Sequence, residues 1–158
     1  MAMSEPSPII LLVEDNLDTI KLIRLSLFKA GFANKVLEAH DGEEATDYLY
    51  GKGKFGNRLD YPLPNVIFLD LKMPRMDGLE FLRWLRTWPP GRIMPVIVLT
   101  TSVLPSDLTA AYEAGANSYL VKASDAHELI EQVSAIGAVW LTGNARLPDS
   151  HNDHPSAT

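Results

Sequence analysis

Three acidic residues directly follow two apolar segments of this chain. Asp70 ends the run at 66–69, and Glu14 and Asp15 follow the run at 8–13. Short runs that are apolar throughout are typical of strands buried on both faces of a parallel sheet. Open α/β sheets bind their ligands beside the carboxyl ends of their strands. The sequence therefore predicts a crevice at that edge of a sheet, lined by three carboxylates.

Two further predicted strands end on side chains that complement an anion. The run at 95–99 is followed by Thr100 and Thr101, and the run at 118–121 by Lys122. A cluster of carboxylate oxygens favours Mg²⁺, which binds one or two carboxylates, water and phosphate oxygens. A carboxylate nucleophile, a metal ion, a hydroxyl and an ammonium together indicate phosphoryl transfer to an aspartate, with an aspartyl phosphate as the product.

The elements that must position these residues alternate along the chain. Strand patterns at 8–13, 35–39, 66–70, 95–99 and 118–121 alternate with helical patterns that begin near Leu17, Glu43, Leu79, Pro105 and Asp125. Successive βα units require right-handed crossovers and a parallel sheet with helices on both faces. The predicted fold class is therefore α/β, with a doubly wound five-stranded parallel sheet. Asp41-Gly42 is interpreted as a turn, and Ser106 as a cap of the fourth helix.

Composition limits the classes of protein to which the chain can belong. The 158 residues are 46% hydrophobic, with a net charge of −6 and no cysteine. Disulfides and thiolate metal sites are excluded, and the lack of a Lys/Arg-rich run argues against nucleic acid and anionic membranes as partners. No signal peptide and no apolar run of about 18 residues is found, so we expect a cytoplasmic protein. The expected organisation is a tail at 1–7, one domain at 8–142 and a polar extension at 143–158.

These strand-end residues closely resemble those of the receiver domain of two-component response regulators, as do Met73-Pro74 and Asp77-Gly78. The resemblance covers residues 8–142 and implies a flavodoxin-like (βα)5 fold with strand order 2-1-3-4-5. It also implies a protein that accepts a phosphoryl group from a sensor histidine kinase and signals by binding other proteins. Such a protein is not an enzyme that acts on other substrates, although it catalyses its own phosphorylation and slow dephosphorylation.

The resemblance implies a phosphoacceptor and a metal site. Asp70 resembles the phosphoacceptor. Asp15 and Asp70 resemble direct ligands of Mg²⁺, together with the main-chain carbonyl of Lys72. Glu14 resembles the acid that acts through metal-bound water.

The resemblance also implies residues that bind the phosphoryl group and respond to it. Lys122 resembles the lysine that pairs with the phosphoryl group. Thr100, with Thr101 next to it, and Tyr119 resemble the switch pair. In that pair the hydroxyl moves to the phosphate and the aromatic ring turns inward behind it.

The finer resemblance is to small, stand-alone regulators that partner phytochrome-type sensor kinases. It rests on the long loop before the third strand, on the run 100–102, and on Trp140-Leu141 with Leu147-Pro148 beyond. Two residues depart from the family pattern. Ala123 stands where proline is usual, which frees the backbone there. Lys72 adds a second ammonium near the phosphoacceptor, which we expect to alter the rate of phosphoryl hydrolysis.

Two other functions remain open on the residues alone. A haloacid-dehalogenase-like phosphatase also uses a strand-end aspartate, but it has a second acid two residues later, where this chain has Lys72. A flavin-binding flavodoxin-like module needs a hydroxyl- and glycine-rich phosphate loop after its first strand. In this chain Glu14-Asp15-Asn16 would repel a phosphate at that place.

Two surfaces are predicted to bind partners. The loop at 51–64 is predicted to contact the kinase through its positive charges and through Phe55 and Tyr61. A homodimer is predicted on the fourth helix, the fifth strand, the fifth helix and the C-terminal segment, because an exposed edge strand needs a cover and large aromatic residues dominate interfaces. The residues assigned to that interface are Tyr119, Val139, Trp140 and Leu141.

Overall fold

A five-stranded parallel sheet forms the centre of the computed structural model, which describes residues 8–32 and 35–143. The strands are β1 (Ile9–Val13), β2 (Lys35–Ala39), β3 (Val66–Leu69), β4 (Val96–Thr100) and β5 (Ser118–Val121). They pair in the order β2-β1-β3-β4-β5. This order, and the alternation of strands with helices, confirm the predicted flavodoxin-like α/β fold.

The α-helices of the described residues begin at recognisable signals. They are α1 (Leu17–Lys29), α2 (Gly42–Tyr50), α3 (Gly78–Thr87), α4 (Pro105–Glu113) and α5 (Ala126–Gly137). Asn16, Asp41, Asp77 and Asp125 cap four of them, each accepting a main-chain N–H of the first turn. Helix α4 follows Leu104, which makes no side-chain cap, so the predicted cap at Ser106 is wrong. Proline suits the first position of α4 because the N–H it lacks would have no helical partner.

The sheet separates two apolar cores, because successive residues of a strand point to opposite faces. In β1, Leu11 and Val13 pack in the core that includes residues of α2, α3 and α4. Ile10 and Leu12 pack in the core that includes residues of α1 and α5. Strands β3 and β4 are buried along their whole length, as their apolar runs predicted.

The described residues correspond closely to the predicted domain. Strand β1 begins at Ile9, and the last helical turn ends at Gly143. The predicted tail at 1–7 and the extension beyond 143 lie outside the described residues, so the domain boundaries at 8 and 142 stay a prediction. Within the described ranges, the helices are too short and too polar to cross a bilayer.

The long segment between α2 and β3 is packed against its own chain. It includes a 3-10 helix, Gly53–Gly56. The ring of Phe55 is 5.2 Å from that of Tyr48 and 5.1 Å from that of Tyr61, and Phe55 is 5% exposed. Arg58 donates hydrogen bonds to the carbonyl oxygens of Tyr48 and Tyr61. The prediction that Phe55 anchors a partner is therefore wrong, while a docking role for the half-buried Tyr61 and for the lysines of this loop stays a prediction.

Helix α5 continues into a wider π-helical turn, Ala138–Gly143. Hydrogen bonds in such a turn span five residues instead of four, which brings Leu141 to the same face as Ile136. Leu141 is 1% exposed, Trp140 is half-buried against the same core, and Val139 is 61% exposed. The prediction that Leu141 lies off the packed face, at a dimer interface, is therefore wrong. It assumed a regular α-helical period through this turn.

The start of α3 lies against the main chain of Asp70. The amide of Gly78 donates to the carbonyl oxygen of Leu71 at 2.9 Å. A Cβ at residue 78 would overlap the carbonyl oxygen of Asp70 and lie 2.8 Å from the Cα of Leu71. Main-chain atoms cannot move aside as the end of a flexible side chain can, so this close approach requires glycine.

We expect Gly78→Ala to lower the free energy of unfolding by about 1–3 kcal/mol, the usual cost of an extra carbon in a packed site. Gly56→Ala is the matched control, because its Cβ would meet only the carbonyl oxygen of Gly51, at 3.4 Å. Urea unfolding followed by circular dichroism measures both variants. Equal stability of the two would contradict the close approach at Gly78.

Candidate functional site

The carboxyl ends of β1 and β3 bring the three predicted acids together. Val13 and Leu69 are neighbours in the register of the two strands, so the residues that follow them emerge side by side. Glu14, Asp15 and Asp70 each offer one carboxylate oxygen to a group in which these atoms lie within 4.8 Å of one another. Strand β1 lies between β2 and β3, and this reversal of strand order is where open α/β sheets bind ligands.

Lys122, which follows β5, extends to these acids. Its Nζ lies 2.5 Å from Glu14 Oε2 and 3.5 Å from Asp70 Oδ2. The lysine side chain is 7% exposed, and Glu14 is 2% exposed. Removing one partner from an ion pair this buried leaves an uncompensated charge, at a cost of roughly 3–5 kcal/mol. Because one ammonium faces two buried carboxylates, the site has an excess of negative charge.

The pKa of Glu14 reflects its burial first and this excess charge second. Burial, and then the neighbouring charge of Asp70, raise the pKa of the Glu14 carboxyl to about 7, although the hydrogen bond from Lys122 acts in the opposite sense. A raised carboxyl pKa means that folding disfavours the ionised form. The contribution of Glu14 to stability therefore falls as the pH rises from its ordinary pKa of 4.5 through about 7. A bound cation would offset that penalty by supplying positive charge.

The donor atoms of the acidic group fit a hard divalent cation. All are carboxylate oxygens, the ligands that Mg²⁺ prefers, and the exposed Asp15 leaves the group open to water, which Mg²⁺ tends to retain. The amide of Lys72 lies 3.5 Å from Asp70 Oδ1, so its main chain is next to the same carboxylate. The role of the Lys72 carbonyl oxygen as a ligand stays a prediction.

The predicted switch residues contact one short segment after β4. Thr100 is fully buried, and its hydroxyl oxygen is 3.4 Å from the amide of Ser102, which donates to it. The half-buried Tyr119 donates its hydroxyl to the carbonyl oxygen of Ser102 at 3.0 Å. Thr101 is exposed. Both members of the predicted pair thus meet at Ser102, while their movement on phosphorylation stays a prediction.

Sequence reasoning missed a polar pair beside the site. Lys72 Nζ lies 3.1 Å from Asp107 Oδ2, and Ser102 Oγ donates to the same oxygen at 2.5 Å. The hydroxyl, and then the ammonium, lower the pKa of the Asp107 carboxyl. The ammonium of Lys72 is thus paired with α4. No helical or strand spacing links residues 72 and 107, so the sequence contains no signal for this contact.

The loop between β3 and α3 is tied to the start of α2. Arg75 adopts a left-handed φ of 63°, and its guanidinium donates through Nε (2.7 Å) and a terminal nitrogen to Asp41. Asp41 is 1% exposed and also accepts from the amide of Glu44. The amide of Gly42 donates to the carbonyl oxygen of Met76 at 2.9 Å. Asp41 therefore holds the β3–α3 loop in addition to capping α2, and the predicted turn at Asp41-Gly42 is wrong because Gly42 is already the first residue of that helix.

A known family matches most of the chain. Residues 10–134 match the response regulator receiver domain. Response regulator Rcp1 of Synechocystis sp. is 36% identical over 138 residues, which cover 87% of this chain and 92% of that protein. The crystal structure of the phosphorylated cyanobacterial phytochrome response regulator RcpA matches with a TM-score of 0.85 and 32% identity, covering 90% of this chain and 100% of that one. The Mn²⁺-bound form of Rcp1 matches with a TM-score of 0.82 and 33% identity, covering 89% and 99%.

We expect Mg²⁺ to raise the unfolding temperature of the wild type. A ligand that binds the folded state alone adds about 2.7 kcal/mol at a concentration one hundred times its Kd. Asp15→Asn should lose most of this gain, because it removes a ligand oxygen at an exposed position. Asp18→Asn, an exposed acid of α1 outside the acidic group, is the matched control. Scanning calorimetry with Mg²⁺ and with EDTA measures the shifts, and equal shifts in Asp15→Asn and the wild type would contradict the site.

Proposed function

The chain belongs to the response regulator receiver family, whose members act with histidine kinases in two-component signalling, and we propose that its phosphoacceptor is Asp70. The observation that supports this choice is the position of Asp70 between the acids of β1 and the ammonium of Lys122. Glu14 is more deeply buried and holds the shorter bond to Lys122. Asp15 is exposed on the outer side of the group.

In the proposed reaction, a carboxylate oxygen of Asp70 attacks the phosphorus of a phosphohistidine. The O–P bond forms as the P–N bond breaks, and the electron pair of that bond returns to the imidazole nitrogen, which takes a proton from water. Acetyl phosphate would react in the same way, with acetate as the leaving group. Such a transfer needs little covalent chemistry from the protein beyond in-line placement and neutralisation of charge.

Lys122 and a divalent cation would share that neutralisation. We propose Asp15, Asp70 and the main-chain carbonyl of Lys72 as direct ligands of Mg²⁺, with Glu14 acting through water. When bound, the cation would offset the repulsion between these acids and the incoming phosphoryl oxygens. Lys122 is placed to exchange its bond with Glu14 for one with a phosphoryl oxygen, because its Nζ is already 3.5 Å from Asp70 Oδ2.

The response to phosphorylation is proposed to pass through Thr100 and Tyr119. The Thr100 hydroxyl would turn to a phosphoryl oxygen and give up its long contact with the Ser102 amide. The Tyr119 hydroxyl would then leave the Ser102 carbonyl as this segment moves, and the ring would turn inward behind Thr100. Since the two states differ in these contacts, phosphorylation can shift the population between them.

We further propose a phytochrome-type sensor histidine kinase as the phosphoryl donor, and the cytoplasm as the place of transfer. The similarity to RcpA, a phytochrome response regulator, extends over nearly the full length of both chains. The sequence resembles regulators of this kind in the loop before β3, in the run 100–102, and at Trp140-Leu141 with Leu147-Pro148 beyond.

A homodimer on α4, β5 and α5 is our proposal for the output of the signal. Leu108 and Tyr112 lie four residues apart, so they share one face of α4, and they are 40% and 49% exposed. Leu104, which directly precedes the helix, is 55% exposed. Val121 on the edge strand β5 is 43% exposed, and Val139 after α5 is 61% exposed. An apolar surface beside an exposed strand edge is suited to contact with a second protein molecule.

The two alternative functions have less support. A phosphatase of the dehalogenase type would need an acid in place of Lys72, whose ammonium instead pairs with Asp107. A flavin phosphate would have to lie beside Glu14 and Asp15, whose negative charges would repel it. Among the described residues, the ammonium that contacts this acidic group is that of Lys122, which is already paired with Glu14. Autocatalysed phosphorylation and slow dephosphorylation of Asp70 are the chemistry that we propose.

Asp70→Asn should abolish labelling by acetyl phosphate in the presence of Mg²⁺, because the amide lacks the nucleophilic carboxylate oxygen. Intact mass spectrometry detects the added phosphoryl group. Asp77→Asn is the matched control, since it makes the same change in the same loop, and asparagine can still cap α3 by accepting the Glu80 amide. It should be labelled like the wild type. Undiminished labelling of Asp70→Asn would show that another carboxylate is the phosphoacceptor.

Leu108→Ser should weaken the self-association of protein treated with Mg²⁺ and beryllofluoride by about tenfold or more, because a buried leucine contributes about 1.5–3 kcal/mol. Leu25→Ser is the matched control. It removes a leucine that is 42% exposed on α1, on the opposite face of the sheet. Light scattering measures the association. A wild type that is monomeric at high micromolar concentration, with and without beryllofluoride, would rule out the dimer.

A further inference from the structure

The side chain of Lys72 connects the loop after Asp70 to the start of α4. Its ammonium lies 3.1 Å from Asp107 Oδ2. The lysine side chain is 60% exposed, whereas that of Asp107 is 13% exposed. The carboxylate is therefore held in the fold, and the lysine is the partner that can move.

Asp107 is also bonded to the segment that contacts both switch residues. Its Oδ2 accepts the hydroxyl of Ser102 at 2.5 Å, and the carbonyl oxygen of Ser102 accepts the hydroxyl of Tyr119 at 3.0 Å. Asp107 would keep the Ser102 hydroxyl if Lys72 left, so it would not become an isolated charge. The cost of losing the lysine is correspondingly small, because partly exposed ion pairs contribute little to stability.

The main chain of Lys72 lies beside the carboxylate of Asp70. Its amide is 3.5 Å from Asp70 Oδ1, which puts the root of its side chain beside that carboxylate. The ammonium is on a flexible four-carbon stem with freely rotating donors. Asp70 is therefore the second anionic group that we consider as a partner for this ammonium.

The two possible partners of Lys72 differ in charge once Asp70 is phosphorylated. A phosphoryl group has a charge of roughly −1.5 to −2 and three strong acceptor oxygens. The carboxylate of Asp107 has a single negative charge, and one of its oxygens already accepts the Ser102 hydroxyl. The phosphoryl group is thus the stronger competitor for a mobile ammonium.

We propose that Lys72 exchanges partners, leaving Asp107 for the phosphoryl group on Asp70, and that Asp107 acts as a positioning residue which competes with the phosphorylated state for this lysine. The proposal rests on Asp70 being the phosphoacceptor. In the unphosphorylated state the ion pair joins the β3–α3 loop to α4. After the exchange that link is absent, and the Ser102 segment and the start of α4 are released from the loop.

This exchange explains how a change at Asp70 reaches the apolar face of α4. In the described residues, Ala111 is the buried residue of this helix, so packing holds α4 less firmly than the other helices. Its first turn also lacks a side-chain cap. The contacts of Asp107 with Lys72 and Ser102 are therefore the side-chain contacts through which the start of α4 is joined to the neighbouring loops.

A double-mutant cycle tests the exchange, with beryllofluoride in the presence of Mg²⁺ as the phosphoryl mimic and calorimetry as the measurement. Lys72→Met should weaken beryllofluoride binding. Asp107→Asn should tighten it by about two- to fivefold, the range that a partly exposed ion pair contributes, because it frees Lys72 and asparagine can still accept the Ser102 hydroxyl. In the Lys72→Met background, Asp107→Asn should leave the affinity unchanged.

Three outcomes would overturn the exchange. One is equal tightening by Asp107→Asn in both backgrounds, which would show a general effect of charge. The second is an unchanged affinity of Asp107→Asn for beryllofluoride, and the third is an unchanged affinity of Lys72→Met. Asp125→Asn, which removes a negative charge from the cap of α5 while asparagine can still cap, controls for net charge. Failure of the proposed function is distinguishable, because beryllofluoride would then bind Asp70→Asn as tightly as the wild type.

Discussion

The crowding of three carboxylates at the ends of β1 and β3 is the constraint on which the rest of the structure depends. Two like charges about 4 Å apart repel by about 4 kcal/mol at the effective dielectric constant near a protein surface. Lys122 offsets part of this repulsion with one ammonium for two buried carboxylates, and burial followed by the charge of Asp70 raises the pKa of the Glu14 carboxyl. The folded chain is therefore prepared to bind additional positive charge, and a cation bound there would attract a phosphoryl group.

The surrounding backbone keeps these acids together against their repulsion. The β3–α3 loop is held on one side by Gly78, which allows α3 to approach the main chain of Asp70, and on the other by the pair of Arg75 with Asp41. Hydrogen bonds in the sheet fix the strand ends from below. An acid on a looser loop would move away from its neighbours, so the position of these carboxylates depends on main-chain and side-chain contacts in which the carboxylate oxygens themselves take no part.

Rigidity is not uniform around the crevice. The segment from β4 to α4 is held by polar contacts at Ser102 and Asp107 and by little buried apolar surface. Local opening is easiest where few apolar contacts are buried. The acidic side of the site thus has more contacts to hold it than the hydroxyl side, and our proposed response to phosphorylation depends on this difference.

The sequence by itself determined the five-stranded sheet and the acids, hydroxyl and lysine at its edge, because strand-forming runs are local and the carboxyl ends of parallel strands must meet. The tertiary structure alone decided three further features: the partner of Lys72, the bond of Arg75 to Asp41, and the burial of Leu141. The first two depend on the reach of long side chains between segments far apart in the chain. The third depends on a π-helical turn, which shifts the helix register by one residue. Local spacing in the sequence specifies neither the partner of a long side chain nor a π-helical turn, because both depend on how the packed elements fit one another.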